Sequence, residues 1–275
     1  MFTDRPLAGN GLAVVHEADD VDDATMLAFA KETRLVETTF VQTSDVADYR
    51  NRIWTPAAEI PFAGHPSLGT AVAVALERGE AEAEYRQQTK AGIQPVSVRR
   101  DGDRAYASIL QEPAQFGAEL DPADVTAAIG LRPEDAHPSL TPQHVSTGLA
   151  TIIAPLRDAD AVSRARKDTA AVAALADGAF NLYLCAADGE TARARSFPSE
   201  LDGEDPATGS AAGPLLAYLN TRTGLERLEV TQGVEMGRPS RLLAQVEDGR
   251  VRVGGDVVVL VTGTLRLHGV PISVT

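Results

Sequence analysis

Short β-branched and apolar runs alternate along the chain with segments patterned as helices. Val14-Val15 and residues 38–43 predict strands, because β-branched side chains suit a pleated, half-buried surface. Between them, residues 19–33 place acidic groups first and Met26, Leu27, Phe29 and Ala30 later, the order of a short amphipathic helix. Residues 50–55 predict a further strand, and 96–100 with 105–109 a hairpin turning at Asp101-Gly102-Asp103. Near the C-terminus, 241–246, 250–253 and 257–262 read as a meander with turns at Asp248-Gly249 and Gly254-Gly255. Asp121-Pro122 opens a helix running to Gly130, since Asp caps and Pro suits a first turn. Residues 159–176 predict one more surface helix, rich in Ala. Five prolines between Glu112 and Gln143 mark the expected domain junction.

The pattern also repeats. Glu59-Ile60-Pro61-Phe62-Ala63-Gly64-His65 returns about half a chain later as Glu204-Asp205-Pro206-Ala207-Thr208-Gly209-Ser210, with Glu, Pro and Gly coinciding. Each copy leads into a small, apolar stretch (68–76 and 211–219) and then back to strand (88–92 and 230–233). So long a period implies a duplicated domain; solenoid repeats are shorter. A helix apolar on nearly every face is a buried one. Two such helices, starting at Gly64-His65 and Gly209-Ser210, are therefore expected to be buried, one in each half.

Composition narrows the partners. With 25 Lys and Arg against 39 Asp and Glu, the net charge of −14 disfavours nucleic acid and anionic membrane surfaces. The longest apolar run is too short to span a bilayer, and no secretory leader follows Met1, so a cytoplasmic, reducing compartment is expected. Cys185 is the only cysteine, which excludes an intramolecular disulfide and any two-thiol mechanism. Trp54 reads as core, and His16, His137, His144 and His268 as structural or exposed.

An acidic protein can still hold an acid through local donors. Helix N-termini present unpaired N–H groups and partial positive charge, so Gly64, Gly209 and Ser210 are candidates for binding a small carboxylate; the plainer reading is close helix packing. Glu37 stands at the threshold of a buried-looking strand, where desolvation would bring a carboxyl into the working range of a general acid or base. An edge-strand carboxylate in water is the ordinary alternative. His65 is either a proton carrier or a locally bonded helix-start residue, and Asp205 either a substrate ligand or an N-cap. Ser210 lacks a Gly-x-Ser-x-Gly elbow, no spacing suggests a metal, and neither Gly9-Asn10-Gly11 nor residues 232–240 completes a dinucleotide or phosphate loop.

Six ordered stretches resemble the phenazine-biosynthesis PhzF-like family: residues 2–10, Glu37-Thr38-Thr39-Phe40-Val41, Arg52-Ile53-Trp54-Thr55-Pro56, residues 59–69, residues 204–211 and residues 232–240. The resemblance implies an α+β, diaminopimelate epimerase-like fold: two pseudo-symmetric domains, each a β-barrel-like sheet around one central helix, with the active site between them. The halves would be 1–115 and 140–263, with the tail 264–275 returning to the first. It implies a cofactor-free isomerase that moves a proton on a dihydro-hydroxyanthranilate-like acid. Glu37 would be the general acid/base, His65 and Asp205 its catalytic companions, and Gly64, Gly209 and Ser210 the substrate-binding positions. It also implies a homodimer. A catalytically silent binder of small acids on the same fold is the competing expectation. Family members carry a strand before the Phe2-Thr3 motif, so a chain extended upstream of Met1 is expected to melt higher.

Overall fold

The computed structural model describes residues 1–199, 202–267 and 270–275, which leaves His268 outside the described residues. The chain divides into two units, Met1–Ile109 with Gly254–Thr275, and Leu110–Val253. The first unit runs β1 (Leu12–Val15), α1 (Asp23–Thr33), β2 (Glu37–Gln42), β3 (Tyr49–Trp54), β4 (Glu59–Ile60), α2 (Gly64–Glu77), β5 (Glu82–Thr89), β6 (Gly92–Asp101) and β7 (Arg104–Leu110). The second follows with β8 (Gln115–Glu119), α3 (Pro122–Ala128), β9 (Gln143–Ser146), β10 (Ala150–Pro155), α4 (Ala159–Arg164), α5 (Thr169–Ala176), β11 (Asn181–Asp188), β12 (Thr191–Pro198), α6 (Gly209–Thr223), β13 (Arg227–Gln232) and β14 (Ser240–Glu247). Then β15 (Arg250–Val258) leads back into the first unit, which ends with β16 (Gly263–Leu267) and β17 (Val270–Val274).

The pairing shows the duplication that the echo predicts. In the first unit β1 runs parallel to β2, β2 antiparallel to β3, β3 parallel to β5, and β5 antiparallel to β6. In the second, β10, β11, β12, β13 and β14 repeat that series of parallel and antiparallel pairings in the same order. Parallel neighbours need a crossover, and the helices supply it: α1 and α2 in one unit, α4–α5 and α6 in the other.

Each sheet wraps one helix. α2 packs against β1, β2, β3, β5 and β6, and is buried from Gly64 through Ala75. α6 packs against β9, β10, β13 and β14, and is buried at Gly209 and from Ala211 through Leu219. The small residues between Gly64 and Ala75 let strands close on every side of α2, and burial of this apolar surface is what holds it there. On the opposite face of the first sheet, α1 buries Met26 and Ala30 against Val15, Phe40 and Trp54. The second sheet is covered similarly by Val125, Ile129, Val162 and Val172, from α3, its C-terminal end, α4 and α5, around Ile152, Leu182 and Phe197. Among the described residues, no helix is long and apolar enough to cross a membrane.

Two local expectations are corrected. Residues 159–176 form two helices, because the Arg195 guanidinium caps the end of α4. Its Nη1 donates to the carbonyls of Val162, Ser163 and Ala165 at 3.2, 3.4 and 2.8 Å. The intervening Arg166 and Asp168 N–H groups bond to Ile129 and Ala128, and Asp168 then caps α5 through the Ala171 N–H. Gly254-Gly255 is not a turn, since β15 passes straight through it. A Cβ on Gly254 would lie 2.6 Å from Tyr106 Oη and 2.7 Å from the Ala107 carbonyl, so glycine here serves close approach of β7. The hairpin at Asp101-Gly102-Asp103 and the Asp121 cap stand as expected.

Candidate active site

In the first unit, Glu37 begins β2, which is hydrogen-bonded to β1 on one side and β3 on the other. β2 is therefore not an edge strand, and the Glu37 side chain is only 12% exposed. Side chains alternate along a strand, so Glu37 shares a face with Thr39, whose Oγ1 lies 2.8 Å from Thr70 Oγ1 on α2. That contact fixes the strand against the helix, and Glu37 reaches the helix start, where its Oε2 lies 3.3 Å from His65 Nε2. The other ring nitrogen, Nδ1, is 3.3 Å from Asn10 Nδ2, so Asn10 orients the imidazole rather than any neighbour in the helix. Asn10 is itself anchored, its backbone N–H donating to the Met1 carbonyl at 2.9 Å.

Burial pushes the His65 pKa down to about 3, opposed by a hydrogen bond to the Gly11 backbone. At neutral pH the ring is uncharged, so its contact with Glu37 is a polar one between two proton carriers and not an ion pair. A neutral imidazole has one lone pair and one N–H, and can both take and give a proton.

In the second unit, Asp205 precedes α6, but the N-cap of that helix is Thr208. The Thr208 hydroxyl donates to Asp205 Oδ2 at 2.5 Å, and the Asp205 N–H bonds to the Ser196 carbonyl at 3.1 Å. Gly209 is buried and Ser210 partly so. The first N–H groups of a helix have no acceptor within it, which leaves Gly64 and His65 in α2, and Gly209 and Ser210 in α6, with donors at the helix start. The structure thus brings Gly64 and His65 together with Glu37 in one unit, and Asp205 together with Gly209 and Ser210 in the other.

The two helix starts are held alike. Arg52 on β3 grips Glu59 through Nε and Nη2 at 2.9 and 2.7 Å, and Arg195 on β12 grips Glu204 at 3.0 and 2.8 Å. Each guanidinium also covers an aromatic ring two residues on, Trp54 at 5.4 Å and Phe197 at 4.9 Å. The carbonyl of each repeated proline accepts a hydrogen bond from a later segment, Pro61 from the Ala91 N–H and Pro206 from the Ser240 hydroxyl. Arg-x-Trp and Arg-x-Phe, placed shortly before Glu59 and Glu204, were the readable signal for these partners. Sequence reasoning missed them because the spacing from Arg to Glu differs between the halves. Asn10, Thr208 and Gln232 stand in the recognised motifs, but nothing in the sequence shows which polar groups they meet.

Comparison with known proteins agrees with this architecture. A hydroxyproline epimerase from Agrobacterium vitis, only 12% identical, shares the fold with a TM-score of 0.57, covering 87% of this chain and 80% of that one. A predicted epimerase from Pseudomonas aeruginosa superposes with a TM-score of 0.83 at 38% identity, covering 94% of each chain. The two-unit, helix-centred arrangement is thus the diaminopimelate epimerase-like fold. The family described as phenazine biosynthesis-like protein matches residues 1–263. A trans-2,3-dihydro-3-hydroxyanthranilate isomerase from Pseudomonas aeruginosa is 36% identical over 262 residues, 92% of this chain and 90% of the relative. The chain belongs to the phenazine biosynthesis-like, or PhzF, family, and it is an isomerase.

Proposed function

We propose that this isomerase shifts a proton within a small, unsaturated carboxylic acid of the dihydro-hydroxyanthranilate type, without a cofactor. The observation that carries the reading is the buried pair of Glu37 Oε2 and His65 Nε2, 3.3 Å apart at the start of a strand and a helix. A protein that only binds an acid has no need of a proton carrier held in this way. Glu37 takes a proton from an activated carbon, the electron pair spreads into the conjugated acid, and Glu37 or His65 returns a proton at another carbon. Composition and oxidation level are unchanged, so the step needs no oxidant or co-reactant. Gly64, Gly209 and Ser210, each at the start of a buried helix, are the candidates for backbone donors to the acid's polar groups. Asp205 binds its amine or hydroxyl. A homodimer and a cytoplasmic setting complete the proposal; mass in solution tests the first.

The test is turnover across a panel of amino- and hydroxy-substituted acids that includes trans-2,3-dihydro-3-hydroxyanthranilate. Removing a general acid/base typically costs about 10²–10⁴ in rate. Glu37→Gln is expected to lose that much while its calorimetric affinity for the turned-over acid stays within a few-fold. Undiminished turnover would remove Glu37 from the mechanism, and binding without turnover of any acid by the unmutated protein would favour the silent binder.

A further inference from the structure

The side chain of Gln232, the last residue of β13, is fully buried and makes four hydrogen bonds among the described residues, all within the second unit. Its Oε1 accepts from the Tyr183 hydroxyl at 2.8 Å and from the Thr208 N–H at 3.2 Å. Its Nε2 donates to the Asp205 carbonyl at 2.7 Å and to Thr208 Oγ1 at 3.0 Å. The amide has only one workable orientation. A backbone N–H can only donate and a backbone carbonyl only accept, so a flipped amide would oppose like groups at both Thr208 and Asp205. Burial raises the Tyr183 phenol well above its usual range, which keeps that hydroxyl protonated and donating.

This arrangement commits a proton. The Thr208 hydroxyl has one hydrogen and lone pairs to spare. Because it already receives Gln232 Nε2, its hydrogen is turned toward Asp205 Oδ2, 2.5 Å away. Hydrogen bonds in such a chain polarise one another, and a buried network with every member satisfied is also rigid. The next residue closes the arrangement from the other side. Gly233, with φ +74°, lies so near the Pro206 carbonyl that a Cβ there would come within 2.5 Å of it.

We propose that Gln232 is a positioning residue: through Thr208 it fixes the orientation of the Asp205 carboxylate and the turn that starts α6. The inference rests on the role given to Asp205 above, and it assigns to the Gln232–Gly233 segment a task that no phosphate-loop reading supplied. Gln232 meets no substrate in this scheme and acts only through Thr208 and Asp205.

Two measurements on the full-length protein test it. In protein labelled with ¹³C at aspartate carboxyls, the Asp205 resonance is identified by its loss in Asp205→Asn. It is expected to move in Gln232→Met and in Thr208→Val, and to return in Thr208→Ser, which restores the hydroxyl. A resonance unmoved in a folded Gln232→Met or Thr208→Val protein would overturn the proposal. The second measurement is kcat and KM on trans-2,3-dihydro-3-hydroxyanthranilate. Residues in one hydrogen-bond network are coupled, typically by enough to make about a tenfold difference in a double-mutant cycle. Gln232→Met is expected to lower kcat/KM about tenfold in the unmutated background and less than about twofold in Asp205→Asn. Equal losses in both backgrounds would mean a scaffold role and overturn the proposal. Should Asp205→Asn leave kcat/KM unchanged, the substrate-binding role of Asp205 fails by itself, and the ¹³C measurement still decides Gln232.

Discussion

Alanine at Gly233 is expected to cost far more than alanine at Gly237, although both glycines lie in the loop between β13 and β14 and both have positive φ, +74° and +69°. A left-handed backbone costs a non-glycine residue about 1–2 kcal/mol, and both variants incur it. Around Gly237 nothing lies within 4 Å of the added methyl, so the cost stops there. At Gly233 the methyl would sit 2.5 Å from both the Arg238 and Pro206 carbonyl oxygens, whereas ordinary contact begins at 3.4 Å. Both obstacles are backbone, and Pro206 is further tied by Ser240, so relief requires moving the turn itself by most of an ångström. Overpacking of this kind costs about 1–3 kcal/mol, which brings the Gly233→Ala total to about 2–5 kcal/mol. For a chain of this size each kcal/mol lowers Tm by about 2–4 °C. Scanning calorimetry on the two variants reads the difference directly, and kcat/KM should fall with Gly233→Ala alone, because Asp205 adjoins the displaced Pro206. Equal melting temperatures would refute the crowding argument.

Other outcomes follow from the same contacts. Arg195→Met strands the buried Glu204 carboxylate, and losing one partner of a buried pair costs about 3–5 kcal/mol. Arg52→Met should cost less by urea denaturation, since Glu59 retains Lys90 at 2.5 Å; the reverse order would contradict the clamp assignments. His65, lowered by burial from its ordinary 6.5 to about 3, binds its proton first in the unfolded chain. Its contribution is therefore intact above pH 6.5 and lost progressively as pH falls toward 3, and His65→Asn should flatten the stability curve across that window. An unchanged slope would show that the ring is not held neutral. Burial raises the Cys185 thiol to about 12, so it should resist thiol reagents at pH 8 until the protein is denatured; rapid native labelling would contradict its place in the core.

Much of the frame was legible because periodicity carries it. The two central helices begin at Gly64 and Gly209, where the repeated motif and the all-apolar stretches place them. The hairpin at Gly102 and the Asp121 cap follow from short-range chemistry. What escaped depends on partners far along the chain. The helix expected over 159–176 has no internal breaker; it is ended by Arg195, a residue some thirty positions away. Gly254-Gly255 resembles a turn in one dimension and is a close strand contact in three. Glu37 and His65 were singled out from local pattern, yet their mutual approach and the role of Asn10 appear only when β2, α2 and the N-terminal segment meet. Gln232 gave no signal at all as a hub, since its partners Tyr183, Asp205 and Thr208 share no spacing with it.

The most direct measurement is proton NMR of trans-2,3-dihydro-3-hydroxyanthranilate in D₂O with the unmutated protein and with Glu37→Gln. If Glu37 is the proton carrier, the acid rearranges and gains solvent deuterium at carbon with the unmutated protein, and does neither, beyond the uncatalysed rate, with Glu37→Gln. Rearrangement and deuterium uptake at equal rates with both proteins would contradict the assignment of Glu37.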